Sequence, residues 1–383
     1  MGKHSIEYEK KTRLKSQKRP IIKNGVQNQE KPKNNKKKRR IFKFFRNIIL
    51  FFIVLAVIIA GIGTAFIKSK YGQLKLENID KDAIGISSYV DRNIEKTGYR
   101  NIALFGIDSR TDDYGVGNRS DCIIIASINK KTKEVKLTSV FRDTYIDVEN
   151  KGNTKLDKIT HAYAYGGAEN TIKSLNQAMD LNISEYVTAN FDAVIDAVDA
   201  LGGIEITLDK EEVNNINWII DENNEVSGHS SSHIKKAGTY NLDGVQALAY
   251  ARIRSTAGGD YKRAERMRTV INKMMEKTKE LSISELNDLI NVVLPHIRTN
   301  IHEINLLLLA PTLLKANVEA SVGWPYETKG DVINGVWYGV PCTLESNVKR
   351  FHVETFGEEN YEPSQRVKDM SNRIIKKTGY KSN

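Results

Sequence analysis

Two aspartates and a dense run of arginines carry most of the chemistry visible in this 383-residue chain. Asp108 closes the apolar run Arg100-Asn-Ile-Ala-Leu-Phe-Gly-Ile-Asp108, and Asp121 opens the next, Asp121-Cys-Ile-Ile-Ile-Ala-Ser-Ile128. Each run is apolar and bounded by turn residues, as a buried strand is. If the strands are neighbours, both carboxylates sit at one edge of a sheet. Two carboxylates with room for water suit Mg²⁺, which keeps several waters and bridges substrate phosphates. Asp is also common in turns at strand ends, so spacing alone leaves both readings open.

The segment Ala249–Arg268 holds Arg252, Arg254, Lys262, Arg263, Arg266 and Arg268 against only Asp260 and Glu265. Like charges at helical spacing repel. Arg252 and Arg254 diverge on a helix but share a side on an extended segment, and Gly258-Gly259 argues that a helix has already ended. Arg263 and Arg266, three apart, share one helical face. Arg142, which follows a third strand Glu134–Val140, is either an ion-pair partner of the aspartates or a further anion ligand. Arginine binds phosphate oxygens through a planar, bidentate fork. From charge alone, a solvated helix face explains the run as well as a phosphate site does.

The formal charge of +11 does not mark a nucleic-acid binder. Residues 1–46 hold 17 Lys and Arg against three Glu, a net of +14, so the other 337 residues carry −3. A nucleic-acid-binding fold carries its basic surface on the fold itself. Residues 1–46 read as a disordered basic tail, poor in aromatics and rich in Lys, Asn and Gln. Residues 47–67 contain no charge, and about 20 such residues span a bilayer. The run is too long for the core of a cleaved signal peptide. The flanking positive charge keeps the N-terminus cytoplasmic and puts the rest of the chain outside the cell, with membrane lipid as a contact of the tail.

The elements that position the site follow. Residues 68–98 read as an extracellular spacer, 99–350 as the folded domain and 351–383 as a polar C-terminal tail. Asn129–Thr132 reads as a hairpin turn, so part of the sheet is antiparallel. Helical spacing marks Ala168–Met179, Phe191–Ala200, Leu242–Ala251, Lys262–Glu280, Ile283–Val293 and Glu303–Leu314, and strands mark 204–206 and 336–340. Strands and helices alternate, so the expected fold class is α/β: a layered αβα sandwich with a mixed central sheet, preceded by one transmembrane helix. Cys122 and Cys342 are too few for a disulfide framework and read as unpaired. His229 and His233 have a spacing that zinc sites use, but no third ligand is evident. No Gly-rich phosphate loop or Ser-His-Asp arrangement is present.

Five segments in order resemble the LytR–CpsA–Psr family: Leu104–Arg110, Arg119-Ser-Asp121, Ser139–Tyr145, Lys158–Gly167, and Ala251–Arg254 with Asp260 and Arg263–Arg266. They stand behind that family's topology of basic tail, single span and external domain, and cover roughly residues 99–280. Phe141 stands where the family usually has Pro, Thr160 where Asn is frequent, and Met267 where Gln is common. The resemblance implies a phosphotransferase that moves a glycopolymer from a polyprenyl pyrophosphate carrier onto a peptidoglycan hydroxyl. By position, Asp108 and Asp121 would hold Mg²⁺. Arg119, Arg142, Lys158, Arg252, Arg254, Arg263 and Arg266 would surround the pyrophosphate, and apolar residues between sheet and helices would hold the prenyl chain. A carboxylate would take the acceptor's proton, with Asp143 and Asp260 as the candidates. Competing readings are a transcriptional regulator, a polyprenyl-pyrophosphate hydrolase and a binding protein without chemistry. The tail contains no folded DNA reader, so no specific nucleic acid is expected.

Overall fold

The structure is a computed structural model, and it describes residues 75–109, 113–302 and 317–381. The basic tail, the apolar run 47–67 and the helix expected over 303–314 lie outside the described residues. Among the described residues no helix is long and apolar enough to cross a membrane.

The centre is a seven-stranded mixed sheet. Its strands are β1 (Lys75–Leu76), β2 (Tyr99–Ile107), β3 (Ser120–Asn129), β4 (Glu134–Val140), β7 (Glu185–Ala189), β10 (Ile297–Thr299) and β11 (Asn317–Trp324). The spatial order is β1-β10-β7-β2-β3-β4-β11. The expected hairpin joins β3 to β4, and β2 pairs antiparallel with β3, while β7 lies parallel to β2 and β11 parallel to β4. The runs are apolar throughout because both faces are covered. Alternation sends Ala103, Phe105, Ile123 and Ile125 to one face and Ile102, Ile124, Ala126 and Ile128 to the other.

The first face is covered by α1 (Ser88–Thr97), α2 (Ile159–Met179), α8 (Leu344–Phe356) and α9 (Gln365–Thr378), with two hairpins beside them. These hairpins pair β5 (Tyr145–Asn150) with β6 (Asn153–Lys158), and β12 (Thr328–Ile333) with β13 (Val336–Pro341). The second face is covered by α3 (Phe191–Ala200), α4 (Lys210–Ser227), α5 (Gly244–Arg252), α6 (Gly259–Thr278) and α7 (Ile283–Val293), with the small hairpin β8 (Ile204–Leu208) and β9 (Gly238–Leu242).

Three expectations need correction. The C-terminal residues are not a loose tail: α9 places Val367, Met370 and Ile374 in the core, on a stripe with helical spacing that the surrounding charges obscure. The spacer is not outside the folded body either, since Ile84, Val90 and Ile94 are buried in the same core. The helix expected from Ala168 starts nine residues earlier, at Ile159, and kinks at Gly166-Gly167, where Gly167 takes φ of 65°. Such a backbone suits glycine.

Candidate functional site

A β-bulge sets the position of Asp121. Gly106 pairs with Cys122 and Ile107 pairs with Ser120, so Asp121 is an extra residue on β3. A bulge re-aims a side chain that regular pleating would place elsewhere. Gly106 permits the close approach beside it, because a Cβ there would lie 2.8 Å from the Cβ of Cys122. Asp108 follows β2 directly and is exposed, so both carboxylates reach one end of the sheet, as the sequence suggested.

Arginines from three elements converge on Asp121. Arg142 Nη1 donates to Oδ1 at 2.5 Å, and Arg254 Nη2 donates to Oδ2 at 2.9 Å. Arg263 Nη2 donates to the backbone oxygen at 2.7 Å and lies 3.5 Å from Oδ2. Local structure explains the convergence. Asp243 caps α5 through a capping box with Gln246, and the helix ends at Arg252. Ile253 is extended and fully buried. On an extended segment its two neighbours point away from it, so Arg252 and Arg254 share a side. Gly258, at φ of 91°, then starts α6, which carries Arg263. Arg263 is 3% exposed. Burial works against its charge, and Asp121 works in favour of it.

The mouth formed by these groups opens into a cavity of about 750 Å³ between the second sheet face and the helices. Leu104 and Val187 supply its floor; Val194, Leu248, Val270 and Met274 supply its walls; Trp218 lies at its rim, 57% exposed. Asp108, Arg119, Asp121, Arg142, Arg252, Arg254 and Arg263 all line it. An apolar slot ending in several cations can hold a long hydrocarbon with an anionic head.

Two of the expected cations point elsewhere. Arg266 is buried and donates to Glu212 Oε1 at 2.8 Å, to the carbonyl of Ile253 at 3.1 Å and to Thr256 Oγ1 at 2.8 Å. It braces α6 against the turn that presents Arg254. Lys158 Nζ lies 2.7 Å from Asp143 Oδ1, and neither residue lines the cavity. Of the two candidate bases, Asp143 is buried between Lys158 and Arg142 Nε, the latter at 3.9 Å. Asp260 pairs with Arg263 at 3.3 Å and Arg254 at 3.6 Å, beside a small recess that it shares with Asp121.

Among the described residues no three His, Cys, Asp or Glu side chains gather as a metal cage. The donor set at the mouth is two carboxylates, one exposed and one balanced by arginines. That set fits Mg²⁺, which takes few protein ligands and keeps its water, better than zinc or calcium. His233 pairs with Asp221 and His229 turns toward Asp196, so the two do not converge.

The rim residue Trp218 and the partners of Arg252 escaped the sequence reading. Arg252 lies 4.9 Å over the ring of Phe191 and donates to Glu222 at 3.2 Å and to Asn223. The signal for their helix was legible, because Asp209-Lys-Glu-Glu212 is a capping box and α4 follows it. Cys122 and Cys342 are free thiols. Burial pushes the Cys122 thiol up to about 11, so it behaves as packing rather than as a nucleophile.

Fold and site together define an α/β protein with an apolar slot that ends in a cationic mouth. The chain belongs to the LytR–CpsA–Psr family, whose model matches residues 66–350. It is 33% identical over 202 residues to the polyisoprenyl-teichoic acid–peptidoglycan teichoic acid transferase TagU of Enterococcus faecalis, covering 52% of this chain and 61% of that one. It is 27% identical over 290 residues to the corresponding transferase TagT of Bacillus subtilis, covering 72% and 85%. The chain spans 61%, 66% and 65% of the length of the first three curated relatives that it matches. The crystal structure of protein gbs0355 from Streptococcus agalactiae superposes with a TM-score of 0.57 at 26% identity, covering 76% of this chain and 92% of that one.

Proposed function

We propose that the chain is a membrane-anchored phosphotransferase that moves a glycopolymer from a polyprenyl pyrophosphate carrier onto peptidoglycan during cell wall assembly. The observation that carries this reading is the apolar cavity whose mouth is lined by five arginines, three of them in contact with Asp121. The named activity of the relatives supports it, with wall teichoic acid as the polymer class. The run 47–67 serves as anchor, with the N-terminus cytoplasmic and the domain outside. The anchor raises the local concentration of a lipid-borne donor. The catalytic domain begins before residue 99, because the 84–94 segment is part of its core.

The prenyl chain lies in the cavity and the pyrophosphate sits among Arg119, Arg142, Arg252, Arg254 and Arg263. The acceptor hydroxyl oxygen bonds to the phosphorus that bears the glycan. The bond from that phosphorus to polyprenyl phosphate breaks, and the hydroxyl proton passes to a carboxylate, Asp143 or Asp260. Such a transfer needs positioning and neutralisation of the phosphate oxygens more than covalent help, and the arginine set supplies both. Asp108 and Asp121 would hold Mg²⁺, which would supply further charge neutralisation. Lys158 and Arg266 act at one remove, by fixing Asp143 and the Arg254 turn.

The test is incubation of the full-length protein with a lipid-linked glycan, peptidoglycan and Mg²⁺, followed by analysis of the wall product. Polymer joined to peptidoglycan through a phosphodiester is the expected result. Free polymer phosphate without wall attachment would replace transfer by hydrolysis.

A further inference from the structure

The mouth has a second side. Leading away from the cavity, Asp121 contacts Arg142, Arg142 lies beside Asp143, and Asp143 binds Lys158. Lys158 Nζ stands 5.7 Å from the ring centre of Tyr338. Beyond it lies a cluster with no part in the donor cavity, built on the β5–β6 hairpin, the start of α2 and the β12–β13 hairpin.

Asp157 is the hub of that cluster. It is buried, yet its carboxylate serves four donors. Oδ1 accepts from His161 Nδ1 at 2.9 Å and from the Lys158 backbone N–H at 2.8 Å. Oδ2 accepts from the Tyr165 hydroxyl at 3.1 Å and faces Lys155 Nζ at 3.1 Å. Burial opposes its ionisation, but the bonds from His161, Lys158 and Lys155 outweigh that and hold the carboxyl well below its ordinary value. The result is a fixed, partly exposed set of rings and polar tips: Tyr165 and His161 one helical turn apart, and Tyr338 packed on Tyr145 at 4.7 Å. His161 Nδ1 is engaged by Asp157, which leaves its Nε2 for a hydroxyl.

We propose that this cluster is the subsite for the acceptor glycan strand. The inference rests on the reading of the cavity as the donor site. In-line displacement places the attacking oxygen opposite the leaving oxygen. The leaving group is the prenyl phosphate, whose tail fills the cavity, so the acceptor must enter from the far side of Arg142. Among the described residues, Asp143, Lys158 and the tyrosine cluster adjoin Arg142 without lining the cavity. The chemistry of the cluster matches a pyranose. Aromatic faces carry partial negative charge and pack against the C–H face of a sugar. Polar tips fixed by a buried carboxylate then meet its hydroxyls without further ordering cost.

The experiment measures two affinities of the full-length protein in detergent, by titration calorimetry. One ligand is a soluble, uncrosslinked peptidoglycan glycan oligosaccharide, and the other is a prenyl pyrophosphate. Tyr338→Ala and Tyr165→Ala are expected to weaken glycan binding about 3- to 10-fold each, the range of an aromatic contact. Prenyl pyrophosphate affinity should stay within about twofold of the wild type, since neither tyrosine lines the cavity. Tyr338→Phe keeps the ring and should bind glycan as the wild type does, which separates lost stacking from lost folding. Unchanged glycan affinity in both alanine variants would overturn the subsite, as would an equal loss of both ligands. A wild-type protein that binds the glycan but transfers no polymer would remove the proposed activity and leave the subsite standing. One that transfers polymer but binds no glycan would do the reverse.

Discussion

The two faces of the central sheet are equally apolar but packed to different ends. The first face is filled by large side chains with no exposure, among them Trp324, Tyr163, Tyr186 and Phe351. The helices over the second face present Ala193, Ala197 and Ala251 to the same kind of surface, and a cavity of about 750 Å³ remains. The strands do not differ in character; the covering helices do. A binding slot here is a matter of what the covering helices lack, since the alanines that face it leave the space over the sheet unfilled.

The sharpest break of this comparison comes from two tryptophans. Trp324→Ala on the closed face should cost about 3–5 kcal/mol of stability, through lost burial and a cavity that cannot collapse. Trp218→Ala at the slot rim should change stability by about 0.5 kcal/mol or less. Chemical denaturation of both variants checks the pair, and similar losses in the two would erase the distinction between the faces.

Next come two arginines on one helix. Arg266→Ala strands the buried carboxylate of Glu212, so about 3–5 kcal/mol of stability should go, while prenyl pyrophosphate affinity per folded molecule holds. Arg263→Ala should instead weaken prenyl pyrophosphate binding roughly 10- to 100-fold, the worth of one or two charged hydrogen bonds. Denaturation and titration calorimetry on the same preparations separate the two roles.

Filling the slot sharpens the comparison from the other direction. Ala197→Phe should fill part of the slot, cost no more than about 1–3 kcal/mol of stability and, under the proposed function, weaken prenyl pyrophosphate binding about 10-fold or more. An unaltered affinity would mean that the chain binds outside the slot.

The smallest effect is a pH dependence at the Asp157 cluster. The Asp157 carboxyl is held below its ordinary value of 3.8. Its contribution to stability is therefore complete above about pH 4 and is lost as pH falls through the lower folded value. Asp157→Asn should be less stable than the wild type at neutral pH and show a shallower loss of stability below about pH 4. Parallel acid profiles for the two proteins would take Asp157 out of that role.

The sequence made the strands β2, β3 and β4 legible because each is a continuous apolar run with a turn behind it. It hid β7, a five-residue strand inside the sheet, since Glu185-Tyr-Val-Thr-Ala189 is too short and too polar to stand out. It hid α9 because the buried positions Val367, Met370 and Ile374 stand among ten polar or charged neighbours. Asp108, Asp121, Arg252 and Arg254 were readable as a group through the family resemblance, since their spacing alone left turns and a solvated helix face equally open. The separation of Arg263 from Arg266 was not: three-residue spacing puts both on one helix face, and only the packing of α6 shows that one meets Asp121 and the other Glu212. The aromatic cluster was invisible for a similar reason, as its members come from segments nearly two hundred residues apart.

The bulge that inserts Asp121 into β3 has a kinetic consequence. Its carboxylate already engages Arg142, Arg254 and Arg263, so under the proposed function donor capture would exchange one anion for another rather than simply add one. An exchanger of this kind holds its guest less tightly than the same cations would alone, and the displaced carboxylate stays tethered beside the mouth throughout the reaction. Under that same reading, a prenyl phosphate product would present one phosphate where the donor had two. The tethered rival would then regain its place more easily than it lost it, and the spent carrier would be released.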